Sequence, residues 1–153
     1  MSPTAELRIA RQVFVTAVAL STVHYIDNTV RFDDYTGGKS GLITRPMVPI
    51  SWVLFTAAGI AGLVYLRRGR RAKAGPLLGV YSVSGLIGLA HFTTVSPSDF
   101  DWFQNTFIAL DFLAGAAVLI LAVRITLGGS EGERRVSPPP TSSDRSPAES
   151  ASR

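Results

Sequence analysis

The chain reads as an all-α, polytopic integral membrane protein: four transmembrane helices in a bundle, both termini cytoplasmic, and a disordered C-terminal tail. Three observations carry this reading. The apolar residues are segregated into four blocks almost free of charge. Each block approaches the ~20 residues needed to cross a ~30 Å hydrocarbon core at ~1.5 Å per residue. The basic residues also fall on alternate connectors. In 153 residues, 17% of them charged, four spans use up most of the length, which excludes an ordinary soluble globule and a fully disordered chain. With no Cys, a disulfide framework, a thiolate metal site, an iron–sulfur cluster and a cysteine nucleophile are excluded as well.

The spans are expected at about 12–30, 50–66, 76–95 and 106–127, forming a transmembrane domain over 1–127. All four are read as helices, because inside lipid each backbone N–H and C=O must be satisfied within its own segment. The first block is read as a retained signal-anchor. Ala17-Val18-Ala19 imitates a cleavage site, but too few apolar residues precede it to make the core of a signal peptide.

Orientation follows from charge. Arg67, Arg68, Arg70, Arg71 and Lys73 crowd one short connector, and positive residues stay on the cytoplasmic side. That puts 12 basic residues inside, against Arg31, Lys39 and Arg45 outside. Trp52 and Trp102 then fall at the outer interface, where an aromatic belt is expected. The expected setting is a multi-pass protein of the plasma membrane, with the anionic cytoplasmic leaflet as the partner of the five-residue basic cluster and no nucleic acid. A homo-oligomer or a larger membrane complex fits the same architecture. Arg outnumbers Lys 13 to 2, as in proteins of GC-rich bacteria.

The segment 128–153 carries seven Ser, four Pro and no aromatic residue; its charges cancel, and it is expected to be disordered. In the first outer loop, Gly38-Lys39-Ser40 imitates the end of a phosphate loop, but Asp33 occupies the place of the required glycine. Asp33 and Asp34 beside Gly37-Gly38 read as a solvated turn. In the second outer loop, Ser96-Pro97-Ser98-Asp99 carries the signals of a helix start, followed by the aromatic residues Phe100, Trp102 and Phe103.

Chemistry, if the bundle carries any, belongs to polar residues within the spans: Ser21, His24, Asp27 and Asn28 in the first, His91 in the third, Asp111 in the fourth. Counted from the inner ends, His24, Asp27 and His91 rise roughly 18, 22 and 22 Å, and Asp111 stands near 22 Å. All share the outer leaflet. His24 and Asp27 are spaced i, i+3, and His24 and Asn28 i, i+4, so both can neighbour the imidazole. Gly88 and Gly115 would let the helices approach. His24, Asp27, Asn28, His91 and Asp111 are therefore candidates for a ligand or proton site, with His24, His91 and Asp111 as metal donors for zinc or iron, or the two histidines for haem. No cofactor is favoured and no catalytic residue is assigned. The segment His24-Tyr25-Ile26-Asp27-Asn28 resembles no motif that assigns a family. The leading expectation is a non-enzymatic structural or accessory protein whose His/Asp cluster braces the bundle.

Overall fold

The computed structural model describes residues 2–38 and 43–136, the last eight of these by their backbone alone. Among them are six α-helices: α1 (Pro3–Val30), α2 (Phe32–Thr36), α3 (Met47–Arg67), α4 (Arg71–Leu86), α5 (His91–Thr94) and α6 (Trp102–Val136). Short 3₁₀ turns, Ile87–Ala90 and Pro97–Asp99, join α4 to α5 and lead towards α6. Four segments are long and apolar enough to cross a membrane: Pro3–Val30, Met47–Arg67, Arg71–Thr94 and Trp102–Gly128.

Each span is longer than its apolar block. Ser2 caps α1, its hydroxyl accepting from the Ala5 N–H at 3.3 Å with Pro3 at the first helical position, so the helix begins nine residues before the apolar block does. No Gly or Pro interrupts the sequence from there to Val30. At the other end of the chain the helix runs through Gly128 to Val136, past the expected boundary at 127/128. Two consecutive glycines weaken an established helix without breaking it, and the first proline stands at Pro138. The rest of the expected tail, 137–153, lies outside the described residues, as do Lys39 and Ser40. The third span is broken: α4 gives way to a 3₁₀ turn before His91 resumes the α-helix.

The four long helices alternate in direction. Gly69, at φ 71°, makes the tight reversal from α3 to α4 at what we term the basic end, opposite the distal end that carries α2. The main packing partners are α4 with α6, α3 with α4, and α1 with both α6 and α3. The closest approach is between α4 and α6. A Cβ on Gly85 would collide with the Asp111 carbonyl oxygen, and one on Gly115 would lie 2.9 Å from that of Ser82. Small residues at a crossing let membrane helices make this contact. Gly59 of α3 likewise yields its space to the Phe14 ring.

Two clusters fill the interior. Ala10, Phe14, Leu66, Leu78, Tyr81 and Ile125 belong to the larger one, towards the basic end. Tyr35, Phe100 and Ile108, with Phe92 and Val95 against them, form the distal one. The outside of the bundle is apolar too: Val15, Ile26, Leu54, Ile60 and Ile120 are each more than half exposed. Such a surface is stable where the surroundings are hydrocarbon.

Candidate functional site

The distal end is organised around a residue that the sequence reading did not single out. Arg31 closes α1, and α2 turns back over the helix ends. Its Tyr35 side chain is only 1% exposed. The ring packs edge-on against His24 and His91 at centroid separations of 5.6 and 4.7 Å and lies tilted against Phe100 at 5.3 Å. Its hydroxyl donates to Asp27 Oδ2 at 2.7 Å. Burial first, and then the Asp27 carboxylate, hold the Tyr35 hydroxyl well above the usual phenol range, so it remains a donor. The connector after α1 thus begins as a short helix where a turn was expected; Asp33, Asp34, Gly37 and Gly38 are exposed as expected, and Tyr35 is the buried residue of α2. The available signal was an aromatic residue two turns beyond Asp27, set between Asp33-Asp34 and Gly37-Gly38.

The polar residues read from the sequence divide into two groups. His24 and His91 meet edge to face, their rings 5.7 Å apart, and Asn28 Nδ2 stands 3.1 Å from His91 Nε2. Asn28 therefore serves the histidine of the third span, not its own helix neighbour His24. Asp27 is joined to the pair through Tyr35, which packs on both imidazoles and bonds the carboxylate. Asp111 stands apart. It is 2% exposed, forms no bond to either histidine, and its Oδ2 has no hydrogen-bond partner. Its backbone is pressed against Gly85, and Tyr25 and Tyr81 are the titratable side chains within its electrostatic reach. The sequence grouped Asp111 with the histidines, and the structure leaves it apart from them. The close α4–α6 crossing sets its rotation, and depth counting cannot supply that.

Ser21 continues the stripe inward, as expected from its spacing, and its partners come from other helices. Its hydroxyl lies 3.3 Å from the Tyr81 hydroxyl and accepts from the Trp52 indole N–H at 3.2 Å. Trp52 is half-buried, so its N–H is used inside the bundle, where the sequence suggested a place in an interfacial belt. Trp102 is 78% exposed, with its ring on the surface at the start of α6.

At the surface above the cluster, Arg31 draws three carboxylates together: Asp101 at 2.7 Å, Asp34 at 3.0 Å and Asp27 at 3.9 Å. The hydrogen bonds to Asp101 and then Asp34 keep the guanidinium firmly protonated. Asp101 has a second task as the cap of α6. Its Oδ1 accepts from the Gln104 N–H at 2.8 Å, and its own N–H donates to Gln104 Oε1 at 3.1 Å, a reciprocal capping box. The Gln104 N–H, followed by Arg31, holds the Asp101 carboxyl below the usual range. The Ser96-Pro97-Ser98-Asp99 signal instead starts the 3₁₀ turn, with Ser96 and Ser98 hydroxyls 2.9 Å apart.

Among the described residues, no three His, Asp or Glu side chains gather as a metal ion requires. His24 and His91 are brought together, Asp111 does not join them, and His91 Nε2 is already occupied by Asn28. Nδ1 of His24 is buried without a hydrogen-bond partner.

Fold and site together define a helical bundle whose four long helices are apolar enough to cross a membrane, closed at one end by a polar and aromatic clamp. Comparison with known protein families, with curated proteins and with solved structures gives no match.

Proposed function

We propose that this is a small, non-enzymatic membrane protein, structural or accessory in role, in which the distal cluster braces the bundle. The observation that carries the reading is the burial of Tyr35. A side chain from a connector is wedged between α1, the broken third span and the approach to α6, and its polar atom is spent on Asp27. Polar groups that satisfy one another across helices fix the rotation and register of each helix, which apolar contacts in lipid do weakly. In this reading His24→Ala lowers thermal stability in detergent without selective loss of any binding activity. An unchanged melting temperature would refute it.

The proposed setting is the plasma membrane, with the distal end outside and both termini cytoplasmic. Arg67, Arg68, Arg70, Arg71 and Lys73 support it, through the preference of basic connectors for the cytoplasmic side and for anionic lipid. A reporter fused at Arg153 should then read as cytoplasmic and one inserted at Gly38 as external; the opposite pair of results would invert the assignment. Assembly with further copies or with a larger membrane complex fits the accessory role.

A second reading has its own support. His24 Nδ1 and Asp111 Oδ2 are buried polar atoms without partners, and such groups cost free energy unless a proton, water or ligand serves them. This favours a ligand or proton site at His24, Asp27, Asn28, His91 and Asp111. A metal or haem there would begin with two donors, the imidazoles of His24 and His91. Metal content of protein purified without a metal-binding tag decides that version: stoichiometric zinc or iron lost in His24→Ala supports it, and metal-free protein removes it.

A further inference from the structure

Tyr35 is held like a ligand. Imidazole and aromatic groups surround its planar ring, and its hydroxyl meets a carboxylate. These are the elements by which a site recognises a phenol: ring contacts for shape and one placed acceptor for orientation. The peptide that carries Tyr35 is held by peripheral contacts: Thr94 Oγ1 donates to the Tyr35 carbonyl at 3.4 Å, and Arg45 lies over the Phe32 ring at 5.7 Å. Asp33, Asp34, Gly37 and Gly38 are exposed. The ion pairs of α2, Asp34 with Arg31 and Asp33 with Arg45, lie among exposed side chains, where such pairs contribute little. Gly37 and Gly38, at φ 61° and 69°, adopt a conformation open to glycine and strained for most other residues. His24, which lines the slot, also brings its unpartnered Nδ1.

We infer that the slot filled by Tyr35 is a binding site for a phenol or hydroquinone ring, with Tyr35 as its built-in occupant. The incoming hydroxyl takes the place of the Tyr35 hydroxyl on Asp27, the ring lies between His24, His91 and Phe100, and α2 moves aside. This goes beyond the bracing role and is judged separately from it: bracing is tested by the stability of His24→Ala and the coupling of Tyr35 to Asp27, the slot by whether it takes a phenol.

The test uses the full chain in detergent, phenol as the probe, and toluene as a ring of similar size without the hydroxyl. Binding is read from the imidazole resonances of His24 and His91, the two histidines in the chain. Tyr35→Ala empties the slot and should bind phenol at least about tenfold more tightly than toluene, the scale of one hydrogen bond to a charged group. Adding Asp27→Ala should abolish that preference. Tyr35→Phe keeps the ring and releases Asp27, so it should take phenol about tenfold more tightly than the unaltered protein. Equal affinity for phenol and toluene in Tyr35→Ala, or resonances that phenol leaves unmoved, would overturn the inference. If Tyr35→Ala does not fold, Tyr35→Phe decides alone, and a phenol affinity equal to that of the unaltered protein counts against the site.

Discussion

At the basic end the helices meet through Ala10, Phe14, Leu78 and Ile125, while at the distal end they meet through Tyr35, His24, His91 and Asn28. The first region is mostly shape, with the ion pair of buried Glu6 and Arg71 and the Ser21–Tyr81 contact as its directional bonds. The second has bonds whose geometry permits one arrangement. In water the apolar cluster would dominate stability, because burial removes hydrocarbon from water. In lipid that gain largely vanishes, since the alternative to a protein neighbour is an acyl chain of equal polarity. Packing and cavities then measure the basic end, and hydrogen bonds and desolvated groups measure the distal end.

The largest effect should come from the place where the backbones touch. Gly85→Leu puts a side chain into the Asp111 carbonyl, with no flexible group to yield. It should prevent recovery of a monodisperse, folded protein; a normally folded variant would mean that α4 and α6 do not cross there. Next come two ring deletions that separate the regions. Tyr35→Ala should cost about 3–5 kcal/mol, as buried aromatic truncations do. Phe14→Ala should cost about half of that, because in lipid its transfer term is lost and the cavity term remains. Unfolding midpoints in the same detergent compare the two. Equal losses would show that the ends are held alike.

These contrasts also mark what the sequence could disclose. Four spans were legible because membrane thickness imposes a length and the apolar blocks meet it. His24, Asn28 and His91 were legible as neighbours because span depth and helical spacing bring them to one level. Tyr35 was not, since a side chain on a connector has no depth until the connector folds. Asp101 escaped for a related reason: Ser96-Pro97 offered a stronger local capping signal, and the capping box with Gln104 together with the Arg31 contact shows where α6 is anchored. The position of Asp111, away from the histidines, follows from the glycine contact of α4 with α6.

The smallest effect belongs to the exposed Arg31 network. Arg31→Gln should leave the unfolding midpoint nearly unchanged, because its pairs are screened by solvent and salt. Its pH dependence has a definite sign. The Asp101 carboxyl is held below its ordinary value, so its contribution is complete above the ordinary Asp range near ~3.9 and is lost as pH falls through the lower folded value. Between pH 8 and 5 this group should contribute no slope; midpoints that fall in that window in the unaltered protein and not in Asp101→Asn would contradict this, while a fall common to both would belong to another group.

The most direct test of the clamp is a double-mutant cycle on Tyr35 and Asp27, with Tyr35→Phe, Asp27→Asn and the double variant unfolded side by side. A hydrogen bond from a buried hydroxyl to a charged acceptor predicts a coupling of about 1.5–3 kcal/mol. A coupling near zero would mean that the Tyr35–Asp27 contact does not hold the distal end together, and the bracing account would fail with it.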